Sequence, residues 1–214
     1  MNRLITFEGI EGSGKSTQVE RAAAFLASRD VPHVVTREPG GTRLGDAIRR
    51  ILLHPDGRDM VPLTELLLIG AARAQHLAEV VLPALREERV VLCDRFEDST
   101  RTYQGDGRGL PAGVVEQVCA LSAGGLRPGL TFLLDLPPEE GLRRARRRNA
   151  SPDGATSEGR FDEEALAFHR RVRDGFLARA RACPERIRVL PATEPADAVA
   201  RRVSGVLGAH LGLG

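Results

Sequence analysis

Lys15, with Gly9, Gly12 and Gly14 before it and Ser16 and Thr17 after it, is the first place in this chain where residue types and spacing amount to chemistry. The segment Gly9-Ile10-Glu11-Gly12-Ser13-Gly14-Lys15-Ser16-Thr17 fits G-x-x-x-x-G-K-[ST], a loop whose backbone N–H groups turn inward on polyphosphate oxygens. Gly12 and Gly14 are expected to remove side chains that would hold the backbone off the ligand. Lys15 would bring charge to the β- and γ-phosphate oxygens, and the Ser16 hydroxyl would reach Mg²⁺. A Gly- and Ser-rich segment with one Lys is also what an ordinary surface turn looks like. Its setting argues against that, because the apolar run Leu4-Ile5-Thr6-Phe7 precedes it and an amphipathic stretch follows. Strand, loop and helix in that order are what phosphate binding requires, so residues 9–17 are read as a nucleoside triphosphate site.

Four further clusters fall after the first. Asp94-Arg95-Phe96-Glu97-Asp98-Ser99-Thr100 follows an apolar run directly, and ligands of open α/β sheets bind beyond the carboxyl ends of strands. Asp94 there would orient Mg²⁺ through water and Arg95 would clamp a phosphate, the alternative being a structural ion pair. Arg37-Glu38-Pro39-Gly40-Gly41-Thr42 ends a second apolar run; as a turn it is unremarkable, but it faces the same crevice. Thr102-Tyr103-Gln104-Gly105-Asp106-Gly107-Arg108-Gly109 carries the chain's only Tyr and could present a ring and an amide to a small ligand as readily as to the core. The basic run Arg143-Arg144-Ala145-Arg146-Arg147-Arg148, then Arg160, is either a solvated helix face, a nucleic-acid patch, or a source of arginines that close over a triphosphate and cancel transition-state charge.

Strand-like and helix-like segments alternate along the whole chain and must position these clusters. Strands are expected at 3–8, 32–37, 89–93, 130–135 and 186–190. Helical periodicity marks Val19 to Leu26, Leu44 to Leu52, Val114 to Leu121, Leu166 to Leu177 and Val199 to Leu207. This is the α/β pattern of a five-stranded parallel sheet flanked by helices on both faces. Residues 61–86 read as a long helix that Pro83 bends or ends, and 149–159 as a flap between two elements of one domain spanning 1–214.

Composition narrows the function classes. Of 214 residues, 31 are basic and 29 acidic, a net charge of +2, without the excess expected of a dedicated nucleic-acid binder. Cys93, Cys119 and Cys183 are odd in number and far apart, which suggests neither a disulfide framework nor a zinc site and fits a reducing, cytoplasmic setting. No signal peptide or membrane span is expected.

Taken together, Phe7-Glu8-Gly9-x-Glu11-Gly12-x-Gly14-Lys15-Ser16-Thr17, Arg37-Glu38-Pro39-Gly40-Gly41, Ala72-Arg73, Asp94-Arg95-x-x-x-Ser99 and Tyr103-Gln104-Gly105-x-Gly107-Arg108-Gly109 resemble bacterial thymidylate kinase. The resemblance implies a three-layer P-loop kinase fold with a mobile lid at about 143–160, transfer of the ATP γ-phosphoryl group to dTMP with Mg²⁺, and a homodimer. It implies that Gly9 to Thr17, including Ile10 and Ser13, hold the donor, and that Ser16 and Asp94 serve the metal. Glu11 would reach the sugar 3′-hydroxyl of dTMP, Arg49 and Arg95 its phosphate. Arg73, Ser99, Thr100 and Gln104 would contact or frame the base, with Pro39 on the same wall, and Tyr103 would lie beneath the deoxyribose. Lys15, Arg95 and a lid arginine would be catalytic, the last being Arg146, Arg148 or Arg160, with Arg148 and Arg160 favoured. Ile69 stands where many relatives carry a Phe that stacks on thymine, which implies weaker stacking. Kinases for other nucleotides, GTPase switches and polynucleotide-dependent ATPases are the rival classes; an Asn-Lys-x-Asp segment for guanine does not occur.

Overall fold

The computed structural model describes residues 2–149 and 160–213; most of the expected flap lies outside the described residues, as do the side chains of Arg148 and Asn149. Five strands, β1 (Leu4–Glu8), β2 (His33–Arg37), β3 (Val90–Asp94), β4 (Leu130–Asp135) and β5 (Ile187–Pro191), pair in parallel in the order β2-β3-β1-β4-β5. Each lies within one residue of its expected bounds.

Successive side chains of a strand point to opposite faces, and the core divides accordingly. Ile5, Phe7, Val90 and Leu92 pack with Val19, Ala22 and Leu26 of α1 (Lys15–Ala27), with Phe168, Val172 and Phe176 of α8 (Leu166–Ala182), and with Val199, Val203 and Leu207 of α9 (Ala196–Leu211). Leu4, Val91 and Cys93 pack instead with Leu77, Val81, Ala84 and Ala123. That second layer holds α3 (Pro62–His76), α4 (Leu82–Arg86) and α6 (Ala112–Ala123). The two faces are covered because both sets of alternate residues are apolar.

The remaining helices are α2 (Arg43–Leu53), α5 (Glu97–Thr100) and α7 (Pro138–Asn149). Thr42 caps α2 through a hydrogen bond to its side chain from the Gly45 N–H. The long helix does not end at Pro83. A π-helical turn, Leu77–Val81, joins α3 to α4, and the helix continues to Arg86. The widened turn lets Leu82 N–H reach Leu77 O and absorbs the donor that Pro83 lacks. Pro62–Arg86 has the length and hydropathy of a membrane span, yet Glu65, Arg73 and His76 on it are fully buried against the other elements, as in a core helix.

Chain connections leave the neighbouring strands β1 and β3 in opposite directions across the sheet. The crevice at their carboxyl ends is where such folds bind ligands, and both the glycine loop and Asp94-Arg95 open into it.

Candidate active site

The loop between β1 and α1 ends at Gly14, whose φ of 87° is left-handed. No side chain caps α1 and no acidic residue stands in its first turn, so the N–H groups around Lys15, Ser16 and Thr17 remain available to an anion. A Cβ on Gly14 would meet nothing within 4 Å, the open side where phosphate would approach. Gly12 lines the cavity and is needed for a further reason. A Cβ there would collide with the carbonyl oxygen of Gly141, so this glycine lets α7 start directly against the loop. Lys15 Nζ donates to Gly9 O at 3.0 Å, Ile10 O at 2.9 Å and Ser13 Oγ at 3.4 Å. Burial, with Arg95 nearby, brings its pKa down to about 8.

Ser16 Oγ donates to Asp94 Oδ2 at 2.7 Å, which brings together the two residues expected at the metal. Among the described residues no group of three or more His, Cys, Asp or Glu could hold a metal ion. A hydroxyl and one carboxylate fit Mg²⁺, which keeps waters and takes phosphate oxygens rather than a full protein cage.

Arg95 holds the centre of the crevice in a left-handed backbone conformation, φ 71°, a strain that persists where surrounding contacts fix it. Its Nη1 donates to Gly9 O at 3.1 Å and Ser99 Oγ at 3.0 Å; its Nη2 donates to Glu11 Oε1 at 2.9 Å and Tyr103 Oη at 3.1 Å. The Tyr103 hydroxyl donates in turn to Glu11 Oε1 at 2.7 Å, and the guanidinium lies over the Tyr103 ring. Burial disfavours the Arg95 charge, but Tyr103, Glu11 and Asp94 outweigh it and raise its pKa. Glu11 is largely enclosed, which alone would raise its pKa, but the nearby His169 and the charges of Arg95 and Lys15 outweigh that and hold its carboxyl well below the usual range. Beneath them Glu8 accepts from Phe96 N–H at 2.8 Å and pairs with Ser99 Oγ at 2.5 Å. Burial first, then Asp98, pushes its pKa up to about 8.

Further out, Arg73 Nε donates to Glu38 Oε2 at 2.7 Å and Nη2 to Thr100 Oγ1 at 2.8 Å. Its Nη1 is buried without a hydrogen-bond partner among the described residues. His76 closes this network between Glu38 Oε1 at 3.0 Å and Thr36 Oγ1 at 2.7 Å. Arg49 Nη1 donates to Pro39 O at 3.0 Å, and the Glu38-Pro39 peptide is cis. Residues Arg101–Gly107 form a second π-helical segment, whose wider turn brings Tyr103 and Gln104 onto the side of Ser99 and Thr100.

A cavity of about 350 Å³ is lined by Lys15, Ser16 and Asp94 together with Arg73, Thr100, Gln104 and Ile69. Glu11, Pro39, Arg49, Arg95, Ser99 and Tyr103 lie on its walls. Gly9, Ile10 and Ser13 are buried in the loop behind. Arg160 is 4% exposed; its Nη1 donates to Leu52 O at 3.1 Å and stands 2.7 Å from Glu65 Oε2 as an ion pair, so in this structure it faces a carboxylate.

Sequence reasoning missed Glu65, His76, Phe161 and His169, and gave Arg108 no role of its own. Glu65 is fully buried and also takes Gln104 Nε2 at 2.8 Å and Arg108 Nε at 3.2 Å. His169 Nδ1 stands 3.3 Å from Glu11 Oε2, and Phe161 packs edge-on to Tyr103. The one signal was Glu65 itself, a charge within the apolar run Leu63 to Ile69.

A family model described as Thymidylate kinase matches residues 7–203. The chain is 52% identical over 203 residues to a thymidylate kinase of Syntrophotalea carbinolica, covering 95% of this chain and 94% of that protein. It is 52% identical over 207 residues to one of Geobacter sulfurreducens, with 97% of each covered. The crystal structure of thymidylate kinase from Ehrlichia chaffeensis superposes with a TM-score of 0.74 at 34% identity, over 95% of this chain and 97% of that one.

Proposed function

This chain belongs to the thymidylate kinase family and transfers a phosphoryl group from ATP to dTMP, giving dTDP; we propose that the residues of this cavity divide that work as follows. The loop from Gly9 to Thr17 would hold the donor, its backbone amides and Lys15 carrying the β- and γ-phosphates. Ser16 and, through water, Asp94 would hold Mg²⁺, which when bound cancels phosphate charge. Arg95 and Arg49 would hold the acceptor phosphate, Glu11 the 3′-hydroxyl, and Tyr103 would support the sugar. Arg73, Ser99, Thr100 and Gln104 would frame the base beside Pro39 and Ile69.

Phosphoryl transfer asks a protein for alignment and charge cancellation rather than for covalent help. An acceptor phosphate oxygen attacks as it stands, so no strong general base is needed. Lys15 and Arg95 would supply two of the cations. With Arg160 engaged by Glu65, Arg148 would supply the third, since α7 starts against the loop at Gly12 and runs on through Arg146 and Arg148.

The observation that carries this reading is one cavity lined by Lys15 and Ser16 of an uncapped helix terminus together with Arg73 and Gln104. The chain would act as one domain over 1–214 and as a homodimer in the cytoplasm. Exposed Leu44 and Ile51 on α2, Leu63 and Leu67 on α3 and Leu121 on α6 support the dimer, and the free cysteines support a reducing compartment. A coupled assay of ADP formation with ATP, Mg²⁺ and dTMP, dUMP, dCMP, dGMP or thymidine tests the reading. Turnover should be fastest with dTMP; dTMP used no faster than dCMP would overturn it.

A further inference from the structure

We propose that Glu65 is a positioning residue for base selection: its carboxylate fixes the carboxamide of Gln104 so that Oε1 is the atom presented to the base. The inference rests on the reading that Gln104 meets the base.

Glu65 has no exposed surface, and three hydrogen bonds and one further ion pair converge on it. Gln104 Nε2 and Arg108 Nε donate to Oε1 at 2.8 and 3.2 Å; Arg108 Nη2 and Arg160 Nη1 reach Oε2 at 3.1 and 2.7 Å. A carboxylate between two guanidinium groups can only accept. A carboxamide has a donor side and an acceptor side, and at this contact the donor side must face Glu65. Gln104 is itself 1% exposed and lines the cavity, so an Nε2 engaged by Glu65 leaves Oε1 as the acceptor that it would offer a guest. Arg73, which lines the same cavity, offers the opposite polarity, a buried Nη1 donor without a partner among the described residues.

The pair reads a base edge on which a ring N–H stands beside a carbonyl, as in thymine. Cytosine has the reverse at the same positions, a bare ring nitrogen beside an amino group. An unmatched buried polar group is costly, which makes such a site better at rejecting than at attracting. Glu65 touches neither edge. It keeps Gln104 from turning over, and Arg108 and Arg160 keep Glu65 in place.

The test compares kcat/KM for dTMP and dCMP in wild type, Glu65→Gln, Gln104→Met and the double variant. A carboxamide at 65 can meet Gln104 in either polarity, so Glu65→Gln should lower the dTMP preference about tenfold, the worth of one hydrogen bond, with KM for dTMP affected more than kcat. Glu65→Asp, which keeps an acceptor-only group, should retain more of the preference. In the Gln104→Met background Glu65→Gln should cost no further selectivity. A folded Glu65→Gln protein with the wild-type ratio would overturn the proposal, and so would an equal loss in both backgrounds. If Glu65→Gln does not fold, the side-chain NH₂ of Gln104 in the wild-type protein, assigned by NMR against Gln104→Met, should be protected from exchange. A freely exchanging amide would overturn the proposal. A wild-type enzyme that fails to prefer dTMP refutes the functional reading instead, before Glu65 is changed.

Discussion

Ile69 lines the cavity and offers an apolar surface without a ring face. Replacing Ile69 with Phe should add an aromatic contact worth about 1 kcal/mol, a roughly fivefold lower Kd for dTMP by calorimetry; unchanged affinity would place the base elsewhere. Glu8 and Lys15 titrate in opposite senses. Glu8 is raised by burial, and by Asp98, from its ordinary 4.5 to about 8, so its contribution to stability is full below pH 4.5 and is lost as pH rises towards 8. Lys15 is lowered by burial from 10.5 to about 8, so its contribution is full above pH 10.5 and is lost as pH falls towards 8. The Tm of the ligand-free protein should therefore fall between pH 5 and 8, and Glu8→Gln should flatten that slope; an unaltered slope would show that Glu8 titrates normally. Most of the cavity's residues were legible because each cluster is continuous in sequence. Glu65, His76 and His169 were not, since their partners stand far away along the chain: Glu65 with Gln104, His76 with Glu38, His169 with Glu11.

Between strands and helices the legibility differed for a physical reason. Apolar runs such as Val90-Val91-Leu92 fix strand positions locally, whereas a π-helical turn adds one residue to a helix without altering its composition, so neither Leu77–Val81 nor Arg101–Gly107 could be read. The second of these is held by close packing on α8. A Cβ on Gly107 would stand 2.7 Å from Phe168 Cε2 and 3.0 Å from Val172 Cγ2. Gly107→Ala should thus destabilise the protein by about 1–3 kcal/mol in urea unfolding. It should also raise KM for dTMP, because Tyr103 and Gln104 ride on the same segment; a variant changed in neither would mean that α8 yields freely.

For the molecule as a whole, alternation of elements was enough to imply a parallel five-stranded sheet, but not the order β2-β3-β1-β4-β5, which depends on how crossovers pack rather than on any one segment. The same limit applies to assembly. Ile51 and Leu67 are 54% and 53% exposed on neighbouring helices, and a charge there is tolerated only where no second copy covers it. Leu67→Glu should shift the protein from dimer to monomer in sedimentation analysis while leaving its fold intact; an unshifted dimer would place the interface on another face.

Arg73 Nη1, buried and unpartnered among the described residues, destabilises the protein alone by about 1–3 kcal/mol. A guest that brings an oxygen to it would relieve that penalty; if thymidylate is that guest, part of its affinity would originate in frustration built into the host. Improving the fold at this point, by supplying an internal acceptor, would make a sturdier protein and a poorer enzyme.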